Sequence, residues 1–444
     1  MDHNRASRRS FLALAGVTPL VATVLASCGD SGPAGSGSGG GATDWILSGQ
    51  PGEGIRQSTV EAWNKAHSDQ KITTSSFQND AYKAKIKTAI GAGQAPTIIF
   101  GWGGGTLRDY AKQGVVDDLT SFFQSNPDVK SRLFDTAYAA ATVEDKIYAI
   151  PCETVQPIIL YYNKKVFDQV GVQPPTSWND MLELVSKFNA AGIAPISLGG
   201  QSRWTNMMWL ELMFDRVGGP QVFEAIYNGT KDSWSNPAAI EALTKIQDLV
   251  KANGFVKGFA SITADSNADQ ALLYTGKAAM MLHGSWTYGS MKTDGGDFVS
   301  GGHLGYMNFP PVEGGTGDPS NNFGNPAQYL SISSKASKEA KDIALAFFKS
   351  GINTDAEAKQ WIASGGVPIV KGSDAQFASA APDDADFLKF VYDAATEAKN
   401  FQQSWDQALS PTEAETLLDN IEKLFGLAIT PQQFATNMNA AIGS

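Results

Sequence analysis

The sequence predicts an α/β protein built as two bodies joined by extended chain, and three observations predict it. From Asp44 onward, apolar runs of strand length alternate with helical stripes, an order that gives a mostly parallel sheet with helices on its faces. The stretch Tyr148-Ala-Ile-Pro-Cys-Glu-Thr-Val-Gln-Pro-Ile-Ile-Leu-Tyr-Tyr-Asn-Lys-Lys165 reads as two extended pieces, because Pro151 and Pro157 lack a backbone donor and bias the residue before them towards extended geometry. It crosses from one body to the other with Glu153 at the crossing. Finally, 444 residues, 42% of them hydrophobic, suffice for two or three domains with full cores.

The elements follow in order. Trp45-Ile-Leu47 is a short strand ended by Ser48-Gly49, and a helix over about 55–67 carries Val60 and Trp63 on one face. Lys71 to Phe77 is the next strand. Tyr82, Ile86, Ala89 and Ile90 then fall at i, i+4, i+7 and i+8, one stripe of a helix. A third strand, Pro96 to Phe100, breaks at Gly101-Trp-Gly-Gly-Gly105, and the helix after it stops at Gly114. In the second body, Ser177-Trp-Asn-Asp180 has capping-box spacing with Asp in place of Glu, backed by Met181, Leu182, Val185 and Phe188. Ala194–Leu198, Ala278–Leu282 and Leu304–Phe309 are strand-like, Asn236-Pro237 starts a helix ended near Gly254, and Pro326–Ser333 is a return strand. The chain from Ala385 to Ser444 is mainly helical, and no internal repeat is visible.

Ser7-Arg8-Arg9-Ser10-Phe11-Leu12 is a twin-arginine pattern followed by an apolar stretch to Ala26 that is short for a membrane span. It ends in Leu25-Ala26-Ser27-Cys28, similar to the lipobox at which bacterial lipoproteins are cleaved and lipidated on the cysteine. Residues 1–27 are thus expected to be a signal peptide, with Cys28 lipidated and 28–43 a Gly/Ser-rich tether; fifteen such residues span roughly 20 Å. The expected location is the outer face of the cell membrane, with the lipid as the only membrane contact. From Cys28 onward 31 basic residues face 44 acidic ones, which argues against nucleic acid, whose backbone requires Lys and Arg. Cys152 is the one other cysteine, so no internal disulfide can form. No histidine lies near it in sequence, and it reads as a small buried hydrophobe rather than a nucleophile. Mature histidines at 67, 283 and 303 are too scattered for a metal cluster.

Taken together, these features resemble the solute-binding lipoproteins of ABC-type carbohydrate importers, the group that includes maltodextrin-binding protein. Phe100-Gly-Trp-Gly-Gly-Gly-Thr-Leu-Arg-Asp-Tyr-Ala-Lys-Gln-Gly-Val-Val-Asp-Asp-Leu119 is similar to that family's third strand and following helix. Tyr148 to Phe167 resembles its first crossover, Pro175-Thr-Ser-Trp-Asn-Asp180 its Pro-x-x-Trp helix start, and Gly276 to Trp286 the strand and turn presenting a stacking tryptophan. The resemblance implies a periplasmic-binding-protein-like fold of two α/β lobes with a sugar held between them. Lobe one is expected at 44–152 plus 330–373, and lobe two at 153–329 plus 374–444. It further implies capture without chemistry, no cofactor, a monomer, and delivery to an importer's membrane subunits.

A pyranose has weakly apolar C–H faces that lie on aromatic rings and a rim of hydroxyls met by carboxylates and amides. Trp102 and Trp286, each following a strand beside glycines, are the leading stacking candidates, with a core role as the alternative. Trp204, within Gly199-Gly-Gln-Ser-Arg-Trp204, and Trp405, before the last helices, follow on equal terms with core packing; Trp63, Trp178, Trp209 and Trp234 read as core. Among polar groups, Glu153 leads through its place at the hinge, against a structural ion pair. Asn79 and Asp80 sit where the second strand passes into a helix, Asp80 equally readable as a helix cap. Arg203 either bonds hydroxyls or pairs with an acid such as Glu211, and Asn325 lies in a loop before the return strand. Three or four tryptophans suit at least two sugar rings. The overall look, including Pro151-Cys-Glu-Thr-Val155, resembles actinobacterial disaccharide binders, which puts xylobiose or a short xylo-oligosaccharide first, then cellobiose and chitobiose or N-acetylglucosamine. A secreted glycoside-acting enzyme is the rival class, but no nucleophile elbow, P-loop or zinc motif is present.

Overall fold

The structure, a computed structural model, describes residues 41–443. The twin-arginine segment, Cys28 and most of the tether lie outside the described residues. The first element among the described residues is the strand Ala42–Leu47, so Ala42 and Thr43, expected in the tether, belong to the sheet. They are held there by pairing with Ile72 and Thr73 and by the bond from the Thr43 amide to Thr97 Oγ1.

Two mixed sheets organise the body. The first runs Ile72–Phe77, Ala42–Leu47, Ile98–Gly101, Gln328–Ile332, Ile150–Cys152. Its first three strands are parallel and joined by the helices Gly52–Ala66 and Asn79–Gly91, as the strand-helix alternation predicts. The return strand Gln328–Ile332 enters antiparallel between Ile98–Gly101 and Ile150–Cys152. The second sheet is built on the ten-residue strand Thr154–Asn163, which pairs antiparallel with Ala278–Gly284, Leu304–Met307, Asn322–Asn325 and Val367–Pro368. Side chains along it alternate between opposite faces: Val155, Ile159 and Tyr161 join the core shared with the first sheet, while Ile158 and Leu160 join the core of Trp178, Trp209, Phe214 and Trp234.

The chain changes sheets at Glu153, and again between Asn325 and Gln328. Glu153 has φ of +64°, a left-handed conformation that a non-glycine residue adopts at some cost. Gly324 lies against the same strand, and a Cβ there would sit 2.0 Å from the Gln156 carbonyl oxygen, so only glycine permits that approach. The glycines after Trp102 serve a different contact from the one their composition suggests. Gly104 and Gly105 open the helix Gly104–Lys112, and added Cβ atoms would meet the Gln407 and Leu409 carbonyl oxygens at 2.4 and 1.6 Å. Their smallness lets the backbone at 104–105 lie directly against the backbone at 407–409, rather than admitting a ligand.

Helix starts follow the expected chemistry. Ser177 Oγ accepts from the Asp180 amide and Asn236 caps Pro237–Lys251. The Asp180 carboxylate turns to Thr176 rather than completing the box with Ser177. The C-terminal region is helical except for Phe401–Gln403, an edge strand paired to Asn322–Asn325. Trp405, expected at the ligand surface, is fully buried: its ring lies 4.6 Å from Phe223, 5.2 Å from Phe214 and 5.8 Å from Trp234. Cys152 is buried and its thiol is pushed well above the ordinary value by burial, so it is inert packing, as expected.

Four ionisable groups, three of them buried, cluster around the first crossing. Arg56 is bonded to Glu153, and Asp44 and Glu357 act on the same cluster. Burial raises the Asp44 carboxyl to about 7, with Arg56 opposing and Glu153 adding; burial likewise raises Glu357 to about 7.

Two outcomes follow from this packing. Trp405→Ala should lose about 3–5 kcal/mol in guanidinium unfolding, the range for a deleted core tryptophan; a loss under about 1 kcal/mol contradicts its placement. Asp44 binds its proton more tightly folded than unfolded, so its contribution weakens stability as pH rises from 3.8 to about 7. Asp44→Asn removes that penalty, and its melting temperature relative to wild type should therefore improve more at pH 8 than at pH 5.

Candidate ligand-binding site

The crossing fixes the site's floor. Arg56, from the helix Gly52–Ala66, grips Glu153 with both forks: Nε to Oε1 at 2.6 Å and Nη2 to Oε2 at 2.7 Å. Its Nη1 donates to the Leu47 carbonyl at 3.2 Å. Both oxygens of Glu153 are thus engaged and the residue is 5% exposed. The ion pair, the alternative reading of Glu153, is what the structure contains. Arg56, not Glu153, reaches the cavity wall.

Above this floor lies a cavity of about 240 Å³ between the two sheets' lobes. Four tryptophans line it. Trp102 follows the strand Ile98–Gly101, its ring edge-on to Phe100 at 5.3 Å and under the Lys83 ammonium at 4.8 Å. Trp286 follows Ala278–Gly284 and Trp204 begins the helix Trp204–Gly218; their rings lie 6.1 Å apart. Each stands edge-on to His283 at 5.3 Å. The His283 Nδ1 accepts from the Gly284 amide at 2.9 Å, which leaves Nε2 facing Asp269 Oδ2 at 3.4 Å. Trp361, on the helix Asp355–Ala363, closes the side nearest Arg56.

The polar wall is rich in idle acceptors. The amides of Asn325 and Gln328 both donate to Gln156 Oε1, at 2.9 and 2.6 Å. That shared bond orients them and leaves Asn325 Oδ1 and Gln328 Oε1 without a protein partner. Asp406 Oδ1 and Gln407 Oε1 are equally buried and unpartnered. Burial raises the Asp406 carboxyl, while Lys83, 3.8 Å away across the cleft, opposes the shift. Buried acceptors left unpaired cost about 1–3 kcal/mol each. A wall of aromatic faces and acceptors suits a neutral molecule with apolar faces and many hydroxyl donors. Among the described residues no cluster suits a metal ion.

Of the residues singled out from the sequence, Trp102, Trp204, Trp286, Asn79 and Asn325 come together on this cavity. Asp80 lies just outside it, on an adjoining groove of about 580 Å³; Lys83, Trp102, Trp204, Asp406 and Gln407 line both. Arg203 also lines the groove, but its guanidinium is held by Glu415 at 3.0 Å and Asp419 at 2.6 Å. Glu211, the acid expected beside it, instead accepts from Ser404 Oγ and the Trp405 amide in the core. Trp405 is turned inward, and its neighbour Asp406 takes the place on the wall. Sequence reasoning missed Arg56, Lys83, Gln156, His283, Gln328, Trp361, Asp406 and Gln407. Lys83 carried a signal: it stands four residues after Asn79 on one helix, hence on the same face.

Residues 48–364 match the model of the bacterial extracellular solute-binding protein family. A chain solved in work on xylan utilisation by the thermophilic bacterium Caldanaerobius polysaccharolyticus superposes with a TM-score of 0.82 at 30% identity, over 91% of this chain and 100% of that one. A chitin oligosaccharide binding protein superposes at 0.80 and 25% identity, over 90% and 97%. A Mesorhizobium japonicum protein named "probable sugar-binding periplasmic protein" is 28% identical over 50% of this chain and 52% of its own. The chain spans about half the length of the curated relatives it matches. With the two-lobed α/β fold and the cavity between its sheets, these matches place the chain in the bacterial extracellular solute-binding protein family.

Proposed function

We propose that the protein captures a short neutral oligosaccharide outside the cell, closes its lobes on it, and delivers it to the membrane subunits of an ABC importer. The observation that carries this is one cavity lined by four tryptophans and by Asn325, Gln328, Asp406 and Gln407, each of which also holds a side-chain oxygen without a protein partner. Sugar C–H faces meet the rings, and hydroxyls donate to Asn325, Gln328, Asp406 and Gln407. A ligand that touches both lobes favours the closed state by its differential affinity for it. Catalysis is not part of the reading: the family and its solved neighbours bind solutes.

Xylobiose or a short xylo-oligosaccharide is the first choice of ligand, supported by the neighbour from a xylan-utilising bacterium. Cellobiose and chitobiose follow, the latter supported by the chitin oligosaccharide binding protein. Anchoring through a lipidated Cys28, on the outer face of the membrane and as a monomer, belongs to the same proposal. The finer parts of it rest on the N-terminal sequence pattern.

Intrinsic tryptophan fluorescence of the mature chain, titrated with xylobiose, cellobiose, chitobiose, maltose and their monosaccharides, should give a saturating change with a disaccharide. Trp286→Ala should abolish most of that change. Asn325→Ala removes one hydroxyl partner and should weaken binding about five- to 150-fold. No response to any sugar contradicts the proposal, and so does slow release of monosaccharide from a disaccharide, which points to a glycoside-acting enzyme.

A further inference from the structure

The helix Asn79–Gly91 belongs to the first sheet's lobe, yet its own N-cap residue, Gln78, supplies no side-chain bond to the exposed amides. The first turn of any helix has such orphan donors. Here one of them is met from the other lobe: the Asp80 amide donates to Asp265 Oδ2 at 2.9 Å, across 185 residues of chain. Asp265 sits in a fixed turn, with its own amide on Thr263 Oγ1 and the Ala264 amide on Ser202 Oγ. The Asp80 side chain bonds across in the opposite sense. Asp80 Oδ1 accepts from the Trp204 indole at 3.2 Å, steadied by Asn79 Nδ2 at 2.9 Å. Trp204 is one of the rings on the cavity, packed beside Trp286.

We propose that Asp265 is a helix cap supplied from across the cleft, a latch that holds the two sides in the arrangement seen here, and that the Asp80–Trp204 bond made with it fixes one ring of the ligand platform. In this account Asp265 and Asp80 are positioning residues, acting on the ligand through closure and through the orientation of Trp204. The helix N-terminus favours a carboxylate at that spot, and Lys83, one turn along the helix, faces the same region. Burial, and to a lesser degree the Asp80 charge, raise the Asp265 carboxyl, while the Asp80 amide and Lys83 oppose the shift. A cap of this kind makes the first turn of Asn79–Gly91 more protected closed than open. The choice of probe, though not the latch itself, rests on the sugar-binding proposal.

The test is amide hydrogen exchange on the whole mature chain, without ligand and with saturating xylobiose (or whichever disaccharide the fluorescence titration selects), for wild type, Asp265→Ala and Asp265→Asn. The expected result is faster exchange at Asp80 in Asp265→Ala in at least one of the two states, with protection partly restored in Asp265→Asn, which keeps an acceptor oxygen. Affinity should fall about two- to 30-fold in Asp265→Ala, the range for a lost helix cap, mainly through faster dissociation. Equal Asp80 exchange in wild type and Asp265→Ala in both states overturns the latch. Weaker binding with Asp80 still fully protected in the saturated complex also overturns it, and marks Asp265 as a direct ligand contact. A wild-type chain that no sugar protects at any position removes the sugar reading instead, and leaves the ligand-free comparison to decide the latch.

Discussion

The ion pair between Arg56 and Glu153 is the constraint on which the rest depends. Glu153 is the residue at which one strand of the first sheet becomes the central strand of the second. It holds a left-handed backbone there, and its carboxylate is fixed in both oxygens by an arginine from the first lobe's opening helix. Removing one member of a buried pair strands the other, at about 3–5 kcal/mol. The pair therefore sets the geometry of the crossing, and Arg56 passes that geometry to the cavity floor. The neighbouring Asp44 and Glu357 make the arrangement electrostatically costly above neutral pH, since one guanidinium faces three carboxyl groups.

Binding and closure draw on the same account of polar groups. A closed cavity takes Asn325, Gln328, Asp406 and Gln407 out of water, and each acceptor without a partner is a penalty. Ligand hydroxyls offset it, so the closed form gains on the open one when a hydroxyl-rich molecule is present. The close passage of Gly104 and Gly105 against the backbone at Gln407 and Leu409 brings the wall residue Gln407 into place. One close backbone contact thus shapes the site.

Much of this architecture was legible in the sequence. Strand-helix alternation gave the three parallel strands of the first sheet, though not their order, and two prolines around a lone acid marked the crossing. Tryptophans just after strands, Trp102 and Trp286, did reach the cavity. What escaped depends on distant partners. Nothing near Glu153 announces an arginine 97 residues earlier, and nothing near Arg203 announces acids on a helix more than 200 residues later. The stretch Gln402 to Asp406 was singled out for Trp405, but Trp405 is buried in the core and Asp406 is the residue that lines the cavity. After a three-residue edge strand, the four-residue helix Trp405–Ala408 is too short for its periodicity to show which side faces in. The glycines at 103–105 signalled a close approach without saying to what.

The central claim is that the cavity between the lobes is a sugar site, and a crystal structure of the mature chain grown with a bound disaccharide tests it most directly. The account predicts sugar rings against Trp102, Trp204 and Trp286, with hydroxyls donating to Asn325 Oδ1, Gln328 Oε1 and Asp406 Oδ1. It also predicts Glu153 still held by Arg56 beneath them. A sugar bound elsewhere on the surface, with those acceptors met by water or by rearranged protein groups, would contradict it.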